Sequence, residues 1–251
     1  MGVPTVGCPC AVCTSADAHD RRLRPSALVR WKEPDGQERT VVIDTGPDFR
    51  QQALNAGIRR VDAVFYTHAH ADHILGMDDL RPLSFAASPD GGTIALYADE
   101  PTATVLRRIF DYTFSPESTY LNRARVTLHP LAAKISLHGA EFVRVPLLHG
   151  NLEISGFRFG SAAYLTDVST IPEASFELLR NLDVLVVSSL RHAPHPSHAT
   201  LQQAVGWAER IGARQTWLTH IAHDLGHEET NRMLPETIRL AYDGLSVPVT
   251  L

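Results

Sequence analysis

The chain has 251 residues, 44% of them hydrophobic, and a formal net charge of −5. That length buries a full core in one domain, and the negative charge without any Lys/Arg run argues against a surface that tracks nucleic-acid phosphates. No apolar run reaches membrane-spanning length and the opening Met-Gly-Val-Pro lacks the regions of a signal peptide, so a single cytoplasmic domain over residues 1–251, with no membrane partner, is expected.

The first stretch, Gly7-Cys8-Pro9-Cys10-Ala11-Val12-Cys13, holds all three cysteines at C-x-C-x-x-C spacing. An odd number of clustered thiols in a reducing compartment suits metal binding better than disulfides, and three thiolates call for a fourth ligand. Residues 27–31 and 39–44 read as a hairpin around Glu33-Pro34-Asp35-Gly36. Its second strand ends in Asp44-Thr45-Gly46, after which Pro47 opens a helix to about Asn55, closed by Gly57. At that strand end Asp44 has two readings: it orients a metal-bound histidine, or it caps the helix.

Residues 61–66 form a short apolar run of β-branched and aromatic character, read as a buried strand. Directly after Thr67 come His68, His70, Asp72 and His73, four coordinating groups in six positions. Imidazole nitrogen and carboxylate oxygen are the donors that hold zinc, manganese or iron, and a stretch this short has no other way to satisfy them all. Beyond it, Met77 to Arg81 starts a short helix whose Asp78 and Asp79 suit its N-terminus, while Arg81 could reach a substrate phosphate. Residues 93–98 are a further strand, and residues 101–114 a helix with Val105, Leu106, Ile109 and Phe110 on its buried face.

Several strands follow from residue 125 to 159, then the apolar runs 162–166 and 183–187 and a loop carrying His192, His195 and His198. Thr200 and Gln203 read as a capping box for a helix to Ile211, and His198 precedes that helix start, where an anion is favoured. Residues 215–219 end in His220, with His223 three residues on, and the tail supplies a short helix and closing strands. One regularity joins these segments: His68, His149, Asp167 and His220 each follow an apolar strand directly. Strand ends on one edge of a layered α/β fold are where chemistry is placed on a rigid frame.

The run His68-x-His70-x-Asp72-His73 after a hydrophobic strand resembles the signature of the metallo-β-lactamase superfamily of binuclear metallohydrolases. The resemblance implies an α/β fold, an αββα sandwich of two mixed sheets flanked by helices. It implies His68, His70 and His149 as ligands of one divalent ion, zinc or manganese, and Asp72, His73 and His220 of a second, with Asp167 bridging. A hydroxide between the two ions would be the nucleophile on phosphorus or a carbonyl carbon.

Gly7 to Cys13 further resembles the PhnP-like branch of phosphodiesterases, in which a structural zinc is held by such a knuckle and a histidine at the position of His223. The same branch implies a histidine acting on the substrate phosphate, by position His198 with His195 as competitor; Asp72 is counted with His198 among the catalytic residues. Members of the branch also carry a strand and a Thr-Gly-Thr-type turn ahead of the Gly-Val-Pro segment, so either an upstream strand or an exposed sheet edge is expected here.

The activity so implied is metal-dependent hydrolysis of a small or cyclic phosphodiester, such as a phosphoribosyl 1,2-cyclic phosphate, by a protein for which a homodimer is admissible. A ribonuclease Z-like tRNA 3′-processing endonuclease is one alternative, although no basic arm for tRNA is visible in the sequence. A glyoxalase II-like thioester hydrolase is another, needing neither the knuckle nor His198. The non-enzyme alternative is a metal-binding module with no chemistry.

Overall fold

The computed structural model describes residues 2–86 and 92–251. The chain divides into two compact units, one of residues 24–132 and one of the residues up to Leu23 together with Ala133–Leu251.

The unit of residues 24–132 is built on a five-stranded mixed sheet in the order β1 (Ala27–Lys32), β2 (Glu38–Ile43), β3 (Ala63–Phe65), β4 (Ile94–Ala98) and β5 (Val126–Pro130). The hairpin of β1 and β2 is antiparallel, as the Pro-Asp-Gly turn requires, and the remaining pairings are parallel. The connections are α1 (Phe49–Asn55), α2 (Ala71–Ile74), a 3-10 turn Met77–Leu80, α3 (Arg81–Ala86), α4 (Glu100–Ile109) and α5 (Asp111–Phe114). Their apolar residues Phe49, Ile74, Leu80, Leu106 and Phe110 pack on Val42, Val64, Ile94 and Leu96. The alternate residues Val41, Ile43, Ala63 and Phe65 are fully buried as well, which explains why these strands read as continuous apolar runs.

The stretch 101–114 is not one helix. It breaks at Phe110 (φ −111°, ψ 43°), and Ile109, expected on the buried face, is 42% exposed. Asp99 caps the helix one turn ahead of the expected face through Thr102 N–H (2.9 Å), so Thr102, Ala103 and Leu106 face inward and Phe110 swings in after the last turn.

The second unit carries a seven-stranded mixed sheet. Its strands are β6 (Lys134–Leu137), β7 (Ala140–His149), β8 (Leu152–Phe159), β9 (Ala162–Leu165), β10 (Val184–Ser188), β11 (Gln215–Thr219) and β12 (Ile238–Leu240), in the order 12-11-10-9-8-7-6. The pairs from β6 to β9 are antiparallel and those from β9 to β12 parallel, so β9, β10 and β11 all end on one edge. Its helices are α6 (Glu173–Phe176), α7 (Leu201–Ile211) and α8 (His227–Met233). Thr200 and Gln203 form the expected capping box, and Gly212 ends α7 at φ +68°. Leu201, Ala204 and Ala208 of α7 join Leu185, Val187 and Leu218 in the core of this unit. The whole is two mixed sheets with flanking helices, as the motif implied. Among the described residues, no helix is long and apolar enough to cross a membrane.

Candidate metal centres

In the unit of residues 24–132, β3 delivers Thr67 and His68 to a turn that continues into α2. The rings of His68 and His73 lie 4.2 Å apart and those of His68 and His70 4.5 Å, with His68 and His73 buried and His70 at the surface. Three imidazoles this close are tolerable only if neutral, and neutral imidazole is the ligand form.

Asp44 sets the tautomers of His68 and His73. Its Oδ1 accepts from Thr67 N–H (2.9 Å), and its Oδ2 accepts from the Thr67 hydroxyl (2.8 Å) and from His73 Nδ1 (2.7 Å). The Thr67 hydroxyl, having given its proton to Asp44, accepts from His68 Nδ1 at 3.0 Å. With Nδ1 protonated on both rings, the lone pair of each lies on Nε2. Of the two readings for Asp44, the histidine-orienting one holds: the cap residue of α1 is Asp48, which instead binds Arg24. Burial raises the Asp44 carboxyl above the ordinary carboxylate range, against the pull of His73.

The turn is held by close backbone approach. Thr45 N–H donates to His73 O and Gly76 N–H to Thr45 O, both at 2.8 Å. A Cβ on Gly46 would stand 2.1 Å from Asp72 O, which is why the Asp44-Thr45 pair is followed by glycine. Asp72, half-buried on α2, has Oδ2 3.9 Å from His73 Nε2. Arg81 has its hydrogen-bond partners outside the His68–His73 turn. It donates to Tyr120 Oη (3.0 Å) and Asn122 O, and Asp78 accepts from Tyr112 Oη (2.9 Å).

In the other unit the ligand candidates come from separate strand ends: His149 ends β7, Asp167 follows β9, and His220 follows β11. His149 Nδ1 donates to Asp167 O at 2.7 Å, which again leaves the lone pair on Nε2. Asp167 Oδ1 accepts from the Thr166 hydroxyl (2.7 Å), and its Oδ2 lies 3.2 Å from His220 Nε2. That spacing is close to the separation of two ligands on one zinc, about 3.3 Å. Asp167 and His220 both adopt positive φ, 57° and 52°, as does Asp44 at 63°. The left-handed step costs on the order of 1 kcal/mol and turns the side chain out of the strand direction.

His198, from the loop before α7, sits among these groups, its ring 4.5 Å from that of His149 and 4.8 Å from that of His220. Burial and then His220 push its pKa down to about 3. His149, Asp167 and His198 each offer a donor atom within 4.8 Å of the others. His195 lies one ring further, 4.9 Å from His198, while His192 is exposed.

The cysteine knuckle lies in the same unit, against His223. Cys8, Cys10 and Cys13 place Sγ at 3.2, 3.3 and 3.6 Å from His223 Nδ1. In a tetrahedral zinc site sulfur and nitrogen ligands stand about 3.5 Å apart, so the four donors fit that ion. A hydrogen bond from Cys13 N–H lowers the Cys10 thiol to about 6, toward the ligating thiolate.

A family model described as the Beta-lactamase superfamily domain matches residues 39–221. A solved structure described as a new diphosphatase from the PhnP family is 54% identical, covers 100% of this chain and 94% of that one, and superposes with a TM-score of 0.91. The chain belongs to the PhnP family of the metallo-β-lactamase superfamily.

An octanoyltransferase of Porphyromonas gingivalis (strain ATCC BAA-308 / W83) is 38% identical over 248 residues, 97% of this chain and 48% of that protein. The chain thus spans about half the length of that relative. Zn(2+)-bound PqqB from Methylobacterium extorquens, at 20% identity and a TM-score of 0.72 over 99% of this chain and 96% of that one, shares the metallo-β-lactamase fold.

Two contributors to the PhnP-family site residues were invisible in the sequence. Thr67 relays His68 to Asp44, and its only signal was its place between strand and ligand. Arg22, 6% exposed, donates to Ala222 O (2.9 Å), Leu225 O (2.7 Å) and Asp20 Oδ1 (2.9 Å), bracing the loop that bears His223. The contacts with Ala222 and Leu225 cross about two hundred residues of sequence, and no local pattern announces them.

Proposed function

We propose that this chain is a metal-dependent hydrolase of small phosphodiesters, cyclic ones such as a phosphoribosyl 1,2-cyclic phosphate included, acting as one cytoplasmic domain, alone or as a homodimer. His68, His70 and His149 would hold one divalent ion, zinc or manganese, Asp72, His73 and His220 a second, and Asp167 would serve both. Cys8, Cys10, Cys13 and His223 would hold a structural zinc. The observation that carries this reading is that His68, His73 and His149 each commit Nδ1 to a partner within the protein, which puts the lone pair of each ring on Nε2, the ligating form.

Two such ions, when bound, supply Lewis acidity and an activated water. The protein's own part is to hold the ligand tautomers through Asp44, Thr67 and the Asp167 carbonyl, and to present His198 to the substrate phosphate. A half-buried, neutral His198 would donate a hydrogen bond to a phosphoryl oxygen without bringing a second charge next to the ions.

Diphosphate cleavage is a second reading, favoured by the description of the 54%-identical relative. Elemental analysis combined with turnover assays on bis-p-nitrophenyl phosphate, a diphosphate diester, precursor tRNA and S-lactoylglutathione tests the whole. Three metals per chain with activity on the first or second substrate is the expected result. Cleavage of precursor tRNA alone, or of the thioester alone, would replace it, and metal-loaded protein inert toward all four would make the chain a binding module.

A further inference from the structure

We infer that His195 is a specificity-determining residue that donates a hydrogen bond to a second phosphoryl group of the substrate, beside the one that reacts. The inference rests on the hydrolase reading above and deepens it, naming diphosphate diesters as the substrate class.

The geometry is that of a fixed donor. His195 stands between Pro194 and Pro196, whose rings remove backbone freedom on both sides. Arg191 braces the same loop from within: Nε donates to Ala193 O at 3.1 Å and Nη2 to Pro194 O at 2.8 Å. His195 Nδ1 accepts from Ser197 N–H at 3.3 Å, with the Ser197 hydroxyl at 3.4 Å. A backbone N–H can only donate, so Nδ1 carries the lone pair and the ring proton sits on Nε2.

This tautomer is opposite to that of His68, His73 and His149. Those rings offer a lone pair to a cation, and His195 offers N–H to an anion. It is set 4.9 Å from His198 and partly open to solvent, so the donor stands one ring beyond the histidine assigned to the reacting phosphate. A loop stiffened to this degree has already lost the entropy that a mobile surface histidine would lose on binding.

The experiment compares His195→Ala and His195→Gln with the parent protein, each metal-loaded, on ADP-ribose as diphosphate diester and on bis-p-nitrophenyl phosphate, whose single phosphorus offers no second group. With His195→Ala, kcat/KM on ADP-ribose should fall about tenfold to a hundredfold, chiefly through KM, as for a lost hydrogen bond to a charged group. On bis-p-nitrophenyl phosphate the change should stay within about twofold, with metal content unaltered. His195→Gln, whose side-chain amide can place N–H near the Nε2 position, should recover most of the loss. Equal losses on both substrates, no loss on either, or a parent protein that cleaves bis-p-nitrophenyl phosphate but not ADP-ribose would each overturn the inference and leave the hydrolase reading standing. A parent inert toward both would remove the reading itself.

Discussion

The two units present their candidate ligands in different ways. Residues 24–132 give four candidates from a single turn, His68 to His73, two of which, His68 and His73, are oriented by one buried carboxylate, Asp44. The other unit gives His149, Asp167 and His220 from three separate strands, and the sheet itself is the device that gathers them. A local ligand set is protected by the hydrogen bonds of its turn; a distributed one is protected by strand register. Damage should therefore propagate differently in each.

The largest effect is expected at Asp167. Asp167→Ala removes a donor, the acceptor for Thr166 and the neighbour of His220, so phosphodiester turnover should drop by about a thousandfold or more with a loss of bound metal, read by single-point kinetics and elemental analysis. His198→Ala sharpens the contrast, because it lies in the same cluster without being assigned to an ion. A fall of about a hundredfold with metal content intact is expected; loss of an ion along with activity would make His198 a ligand instead.

In the local set the matching change is Asp44→Asn. An amide there offers N–H to His73 Nδ1, which drives the imidazole proton to Nε2 and spoils the ligand face. Metal affinity should weaken about tenfold to a hundredfold while the fold persists, measurable by competition with a chromogenic chelator. Gly46→Ala should have the smallest effect on the chemistry and act on the turn. Its Cβ would meet Asp72 O, so thermal unfolding should report a loss of about 1–3 kcal/mol. An unchanged Tm in that variant would mean that the turn is looser than its hydrogen bonds imply.

The same division governs what could be read before folding. The His68–His73 run was legible because all its members lie within six residues. The distributed candidates were picked out by a subtler cue, an apolar run ending in a coordinating residue, which draws on the fact that a parallel sheet ends its strands on one edge. Asp44 carried two equal meanings in sequence, and only its contact with His73 separates them. Ile109 misled because a helix face read by periodicity assumes a helix that continues, and this one stops at Phe110. Arg81 had the right chemistry for a phosphate but is spent on Tyr120 and Asn122. Arg22 left no trace, since one arginine among Arg21, Arg22 and Arg24 looks like any surface cation.

The short bridge between Val3 and Arg22, whose N–H and C=O groups exchange two hydrogen bonds of 2.8 Å, makes the intervening residues a noose with a closed neck. The three sulfurs lie inside it, and Arg22 anchors the knot to the carbonyls flanking His223. Were a chelator to strip the proposed zinc from the knuckle, its thiols would have nowhere to disperse. Ligands already gathered have little chain entropy left to lose, so a zinc returning from solution should be bound again without refolding of the segment.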